Sequence, residues 1–164
     1  MQKQGLFTNK KSYMKMKKLL LFFVPMFIMA YSLNAQSPAG EDSNYGKVIH
    51  IGKSDFLEKI YDYEKNPDKW VYNGKRPAII DFYADWCGPC RMLSPTLKSL
   101  AEKYKDDIII YKVNTDEERE LAAAFGITSL PTLLFIPMDE MPQVAQGALP
   151  KKELEKAIND FLIK

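Results

Sequence analysis

The segment Ala78-Ile79-Ile80-Asp81-Phe82-Tyr83 runs directly into Ala84-Asp85-Trp86-Cys87-Gly88-Pro89-Cys90. Its first six residues are apolar on both alternating faces, the pattern of a central strand covered on both sides, and Asp81 is the one anomaly. Beyond Cys90, the residues Leu93, Leu97, Leu100, Ala101 and Tyr104 recur at helical spacing across Pro95, which predicts a helix kinked at that proline. The cysteine pair therefore falls at a strand-to-helix junction, with Cys87 at or just before the helix N-terminus.

That position favours a thiolate. Unpaired backbone N–H groups and the helix dipole stabilise negative charge there, and thiols in Cys-x-x-Cys sites fall from about 8.5 toward 7. Cys90, one helical turn on, is within reach to resolve a mixed disulfide formed by Cys87, which is the chemistry of dithiol–disulfide exchange. As a mere staple the pair would achieve little: closing a loop of about four residues stabilises by about 2 kcal/mol, against about 4.7 for a 100-residue loop. A metal site would need two further ligands that the composition scarcely supplies, so metal-free chemistry is favoured. The chain has two Cys and a single His, His50, too few for a four-ligand Cys/His zinc site. A Cys-His or Ser-His-Asp catalytic set would have to be served by that one imidazole.

Outward from the junction, strands and helices alternate. Val48 to Ile51 is a short strand, Ser54 caps a helix carrying Phe56, Ile60 and Tyr63, and Asn66-Pro67 ends it. Asp68 to Pro77, with Trp70, Tyr72 and Asn73-Gly74, reads as a loop with turn chemistry and some aromatic anchoring. Ile108 to Val113 is a buried strand, Asp116 to Phe125 a helix stopped by Gly126, and Thr132 to Ile136 a strand entered through Leu130-Pro131. Gln143 to Gln146 is an edge strand ending at Gly147. The last helix opens with Pro150 and aligns Leu154, Ala157, Ile158, Phe161 and Leu162. The order β-α-β-α-β-α-β-β-α predicts an α/β fold, a central mixed sheet with helices on both faces.

With 164 residues, 46% hydrophobic and 27% charged, the composition is that of a folded globular protein. Residues 1–35 hold six Lys (3, 10, 11, 15, 17 and 18) and no acid; removing those six from the 23 basic residues leaves 17 against 21 acids, a net of −4. No basic run is dense enough to track phosphates, so nucleic acid is not an expected partner. From Met14, a second plausible start, a basic flank precedes the apolar stretch Leu19 to Tyr31, shorter than the roughly 20 residues of a spanning helix. Residues 1–35 thus read as a secretory signal peptide cleaved after Ala35. Leu33, two residues before Ala35, is larger than the usual occupant of a cleavage box, and an uncut anchor is the alternative. Residues 36–46, polar with Pro38, Gly40 and Gly46, read as a flexible tether.

Asp81 to Cys90, Pro95, the Lys112-Val113-Asn114-Thr115-Asp116 strand end, Leu130-Pro131-Thr132 and Gly147 together resemble thioredoxin, over residues 47–164. The resemblance implies the thioredoxin fold and a protein dithiol–disulfide oxidoreductase without cofactor or metal. It assigns Cys87 as nucleophile and Cys90 as resolving residue, the two forming a reversible redox disulfide. Asp81 becomes the buried acid/base for Cys90, and an isolated buried carboxyl should hold its proton more tightly; a hydrogen-bonded structural Asp is the other account of it. Lys112 matches the Lys that tunes that Asp, with an exposed strand-end Lys as the bland reading. Pro131 matches the cis-proline facing the cysteines, and the Leu130 backbone would pair with an extended substrate segment. Trp86 and Gly147, with Gly88 and Pro89, match the surface on which partners dock; simple packing under the loop is the alternative for Trp86. Three departures stand out: Tyr83 occupies a position where many members have Trp, Pro137 to Pro142 replaces the usual turn, and the Asp68–Pro77 loop is longer than a minimal member needs.

The implied partners are disulfide-containing client proteins and, given export to a periplasm or cell envelope, a membrane or envelope electron donor; the implied state is a monomer. The Gly-Pro dipeptide between the cysteines resembles reducing members, whose potentials lie near about −270 mV. Two other functions compete with a reductase: an oxidant donating its disulfide to secreted proteins, and a binding module in which the cysteines are incidental.

Overall fold

A computed structural model of the chain describes Asn44 and residues 46–164, all within one compact unit, Glu41–Lys164. The expected signal peptide, and all but Asn44 and Gly46 of the expected tether, lie outside the described residues. Five strands and four helices follow one another as β1 (Val48–His50), α1 (Lys53–Lys59), β2 (Ala78–Tyr83), α2 (Gly88–Lys103), β3 (Ile109–Asn114), α3 (Arg119–Ala124), β4 (Thr132–Ile136), β5 (Gln143–Gln146) and α4 (Lys151–Ala157), the last running on into a wider π turn at Ile158–Leu162. The sheet order is β1-β3-β2-β4-β5; β1, β3 and β2 are parallel, while β4 and β5 run antiparallel to their neighbours. The mixed sheet is as the alternation predicts.

The pleat of β2 distributes its side chains between two cores. Ile79 joins Ile110, Leu133 and Phe135 beneath Leu93, Leu97 and Leu100 of α2 and Leu154 of α4. Ala78, Ile80 and Phe82 turn the other way, toward Phe56 of α1 and Leu121 of α3. Every residue of β2 is buried, so the strand turns no face to solvent. Fully burying each Leu, Ile or Phe contributes about 1.5 to 3 kcal/mol, which makes β2 the strand about which both layers are organised.

Three helix boundaries, two in α1 and one in α3, differ from expectation. Gly52, not Ser54, precedes the first turn of α1, its carbonyl accepting from Phe56 N–H, and the helix ends before Tyr63. Asp62 takes the Lys65 N–H on its carboxylate at 3.0 Å, a turn that competes with helix continuation. Likewise α3 starts at Arg119 rather than Asp116, because Asn114 Oδ1 accepts the Asp116 N–H at 3.1 Å and holds residues 114–116 in a turn. Pro150 stands one position before the first helical residue of α4. The Asp68–Pro77 loop is anchored as foreseen: Trp70 lies on Tyr61 with ring centroids 4.5 Å apart, and the Tyr72 hydroxyl donates to the Arg76 carbonyl at 2.6 Å.

Candidate active site

The topology gathers the distant motifs at one end of the sheet. Chain leaving the C-terminal end of β2 passes through Ala84-Asp85-Trp86 and enters α2 at Gly88. Because β4 is antiparallel to β2, with Thr132 opposite Phe82, the Leu130-Pro131 entry to β4 comes up at the same end. Register between β4 and β5 then pairs Thr132 with Gln146, and the Gly147 N–H donates to the Pro131 carbonyl at 2.8 Å. The Leu130–Pro131 peptide is cis.

Cys87 is the N-cap of α2 and is joined to Cys90 by a disulfide, with Cα atoms 5.3 Å apart. The Cys90 N–H donates to Cys87 Sγ at 3.2 Å. After reduction, that N–H and the N-terminal end of a 16-residue helix are placed to stabilise negative charge on the Cys87 sulfur. Both cysteines are buried apart from a sliver of Cys87, and Leu130 packs against the pair together with Tyr83 and Ala84.

Beside the disulfide runs a groove of about 500 Å³, lined by Trp86, Cys87, Gly88, Pro89 and Leu130 together with Thr115 and Ile127 to Ser129. Thr115 belonged to the strand-end motif but was given no role in the sequence, and the Ile127–Ser129 segment carried no chemical signal; only the fold brings them to the groove. Trp86 is 69% exposed, which removes the reading of this residue as packing under the loop. Its indole N–H donates to Asp116 Oδ2 at 2.9 Å, so an exposed aromatic face is held in a fixed orientation.

Asp81 and Lys112 lie inside the fold rather than in the groove. They sit side by side on β2 and β3, with Lys112 Nζ 3.7 Å from Asp81 Oδ2. Asp81 is fully buried, and neither of its carboxyl oxygens has a hydrogen-bond partner among the described residues. Burial pushes its carboxyl up to about 6, against the opposing pull of the Lys112 ammonium. Lys112 is itself buried, not an exposed strand-end Lys; its ammonium donates to Ser94 Oγ at 3.1 Å and stands 3.7 Å from the centroid of the Tyr83 ring. Ser94 in turn donates to the Cys90 carbonyl at 3.1 Å, linking Lys112 to the turn of α2 that carries the second cysteine.

Comparison with known proteins places the whole domain in one family. Residues 58–160 match the family described as Thioredoxin. A thioredoxin of Borreliella burgdorferi is 50% identical over 114 residues, covering 70% of this chain and 97% of that protein. A thioredoxin of Haemophilus influenzae is 36% identical over 116 residues, 71% of this chain and 98% of the other. The crystal structure of chloroplastic thioredoxin z superposes with a TM-score of 0.57 at 26% identity, covering 70% of this chain and 93% of that one.

Proposed function

The chain belongs to the thioredoxin family and is a thiol–disulfide oxidoreductase, and from that premise we propose that it reduces disulfides in exported proteins through the reversible Cys87–Cys90 couple. The observation that carries this reading is the cysteine pair itself, at the N-terminus of α2 beside an open groove walled by Trp86 and Leu130.

In the dithiol form, the Cys87 thiolate attacks one sulfur of a client disulfide. A Cys87–client bond forms and the other client sulfur leaves as thiolate, taking a proton from solvent. Asp81, ionised at neutral pH with its carboxyl at about 6, accepts the Cys90 proton. The Cys90 thiolate then attacks Cys87 Sγ, the mixed disulfide breaks, and the second client sulfur departs. Two electrons have passed to the client and the Cys87–Cys90 disulfide remains. Lys112, beside Asp81, tunes its ionisation. Trp86, Gly88, Pro89, Leu130, Pro131 and Gly147 form the docking surface, with the Leu130 backbone pairing with an extended client segment.

Export is supported by the basic flank and apolar stretch of residues 15–31, with cleavage after Ala35. A cytosolic reductase could not serve an exported protein, so re-reduction falls to a membrane or envelope dithiol donor. The couple and its groove are complete within one chain, consistent with action as a monomer. Fractionation of an expressing bacterium, with N-terminal sequencing, should find the soluble envelope protein starting at Gln36; an uncut chain in the membrane would make the segment an anchor.

Reduction of insulin with dithiothreitol as electron source tests the activity, with Cys87→Ser as control; turnover no greater than the control's would overturn it. The midpoint potential sets the direction. A value near about −270 mV makes the protein a reductant, whereas one near about −120 mV makes it a disulfide donor.

A further inference from the structure

Four polar side chains cluster on one face of the sheet, three of them in one row across β2, β3 and β1, and only two, Asp81 and Lys112, enter the mechanism above. Asp81 and Tyr83 are two residues apart on β2 and share a face. Lys112 lies beside Asp81 on β3, and His50 lies beside Lys112 on β1. Tyr83 closes the set: its hydroxyl and His50 Nδ1 are 3.2 Å apart, the two rings meet edge-on at 84°, and its face receives the Lys112 ammonium. We propose that Tyr83 and His50 are positioning residues for disulfide exchange, the Tyr83 ring, anchored by His50, holding the Lys112 ammonium beside Asp81 while Asp81 gains and loses its proton. The proposal rests on the reading of Asp81 as the acid/base for Cys90.

The physical need for such a platform follows from what surrounds Lys112. A buried ammonium requires partners, and this one has Ser94 Oγ, the Tyr83 ring and Asp81. The 3.7 Å separation from Asp81 is too long for a hydrogen bond, so charge alone holds that side. Once Asp81 takes the Cys90 proton, the charge is gone, and Ser94 and the ring are left to keep the ammonium in place. Water is close at hand: a cavity of about 410 Å³ is lined by Lys47, Val48, His50, Ser94, Lys98 and Lys112 among others. Without the ring, the Lys112 ammonium can turn into that cavity and hydrate, and Asp81 loses the cation that steadies its ionised form. Cation–π attraction strengthens as ring and cation are buried, and both Tyr83 and Lys112 are buried, Lys112 at the wall of that cavity.

The hydroxyl's link to His50 adds orientation to the ring. A Tyr83 side chain tied at its far end presents its face to Lys112 in one rotamer. The other ionisable groups bearing on this cluster are Lys47 and Lys98 at the cavity and Asp85 and Glu117 near the Tyr83 hydroxyl.

Titration of the Asp81 carboxyl by carbon-13 NMR in the reduced protein tests the inference independently of any client. Tyr83→Leu should raise the Asp81 midpoint by about one unit, the effect of losing a nearby opposite charge. Tyr83→Phe and His50→Ala, which keep the ring but cut its anchor, should each raise it by less, and combining them should add nothing. In a Lys112→Met background none of these changes should move Asp81 further. An unmoved midpoint in folded Tyr83→Leu protein, or the same displacement with Lys112→Met, would overturn the proposal. If Tyr83→Leu does not fold, the non-additivity of Tyr83→Phe with His50→Ala decides. Failure to reduce insulin would sink the proposed reductase but leave this titration interpretable.

Discussion

The Lys112 ammonium stands 3.7 Å from Asp81 Oδ2, close enough to favour the carboxylate yet unable to repay the cost of burying it. Burial wins, and Asp81 titrates at about 6 instead of the roughly 3.9 of an unfolded chain. The folded state therefore binds this proton more tightly. Stability from the group is fully present below about pH 4 and is lost as pH rises through about 6, at a cost of about 3 kcal/mol by neutral pH. Asp81→Asn should be about 1 to 3 kcal/mol more stable than the parent at pH 8 and equal to it at pH 4, by urea unfolding of the oxidised protein. Equal stabilisation at both pH values would refute a buried ionised carboxylate. The same variant should slow resolution of the mixed disulfide at least about tenfold, the loss expected on removing a general base.

Gly147 has φ +89° and gives its N–H to Pro131, and a Cβ built on it meets nothing within 4 Å. The cost of Gly147→Ala is thus conformational rather than steric, about 1 to 2 kcal/mol. Gly147→Ala should lower the denaturation midpoint by that amount and also raise KM for a protein disulfide by disturbing the Pro131 segment; an unchanged KM in the destabilised variant would take Gly147 out of the docking surface.

Phe56 is fully buried in α1 and meets Phe125 edge-on, with centroids 4.9 Å apart. Replacing it with alanine leaves a cavity beside Tyr63 and Phe125, which are held by each other and, for Phe125, by Phe82. A loss of about 3 to 5 kcal/mol is expected, a large share of the roughly 5 to 15 available to a domain. The urea midpoint should fall with an unchanged slope; a loss under about 1 kcal/mol would mean that the aromatic cluster repacks.

Much of this was legible because strand alternation and helical spacing are local signals. The apolar β2, the stripe from Leu93 to Tyr104 and the Cys87 cap position are all fixed by residues within a few positions of one another. The early end of α1 and the late start of α3 have a different origin: Asp62 and Asn114 spend their side chains on nearby backbone N–H groups, and a propensity reading cannot foresee which such turn forms. Thr115 and Ile127 to Ser129 were invisible as groove residues because nothing in their types marks them; the sheet topology, which brings the end of β3 and the start of β4 to the same side of the sheet as the cysteines, delivers them. The Tyr83–His50 contact spans 33 residues and depends on the β1-β3-β2 order, so a lone His and a Tyr in place of Trp could be noticed but not joined.

Trp86 presents its indole to solvent at the edge of the groove, and the bond from its N–H to Asp116 is what gives an exposed ring a single orientation. Little of the ring is buried, so Trp86→Ala should change stability by less than about 1 kcal/mol. Binding is another matter, because large aromatic faces dominate the energetics of docking. KM for a protein disulfide should rise about tenfold or more with kcat nearly unchanged, while reduction of a small disulfide that cannot reach the indole is unaffected. Asp116→Ala leaves the ring but frees it, and should produce the same pattern at a smaller size, since the ring must then be ordered on binding. If Trp86→Ala slowed small and protein disulfides equally, the indole would be acting on the cysteines themselves rather than on the client.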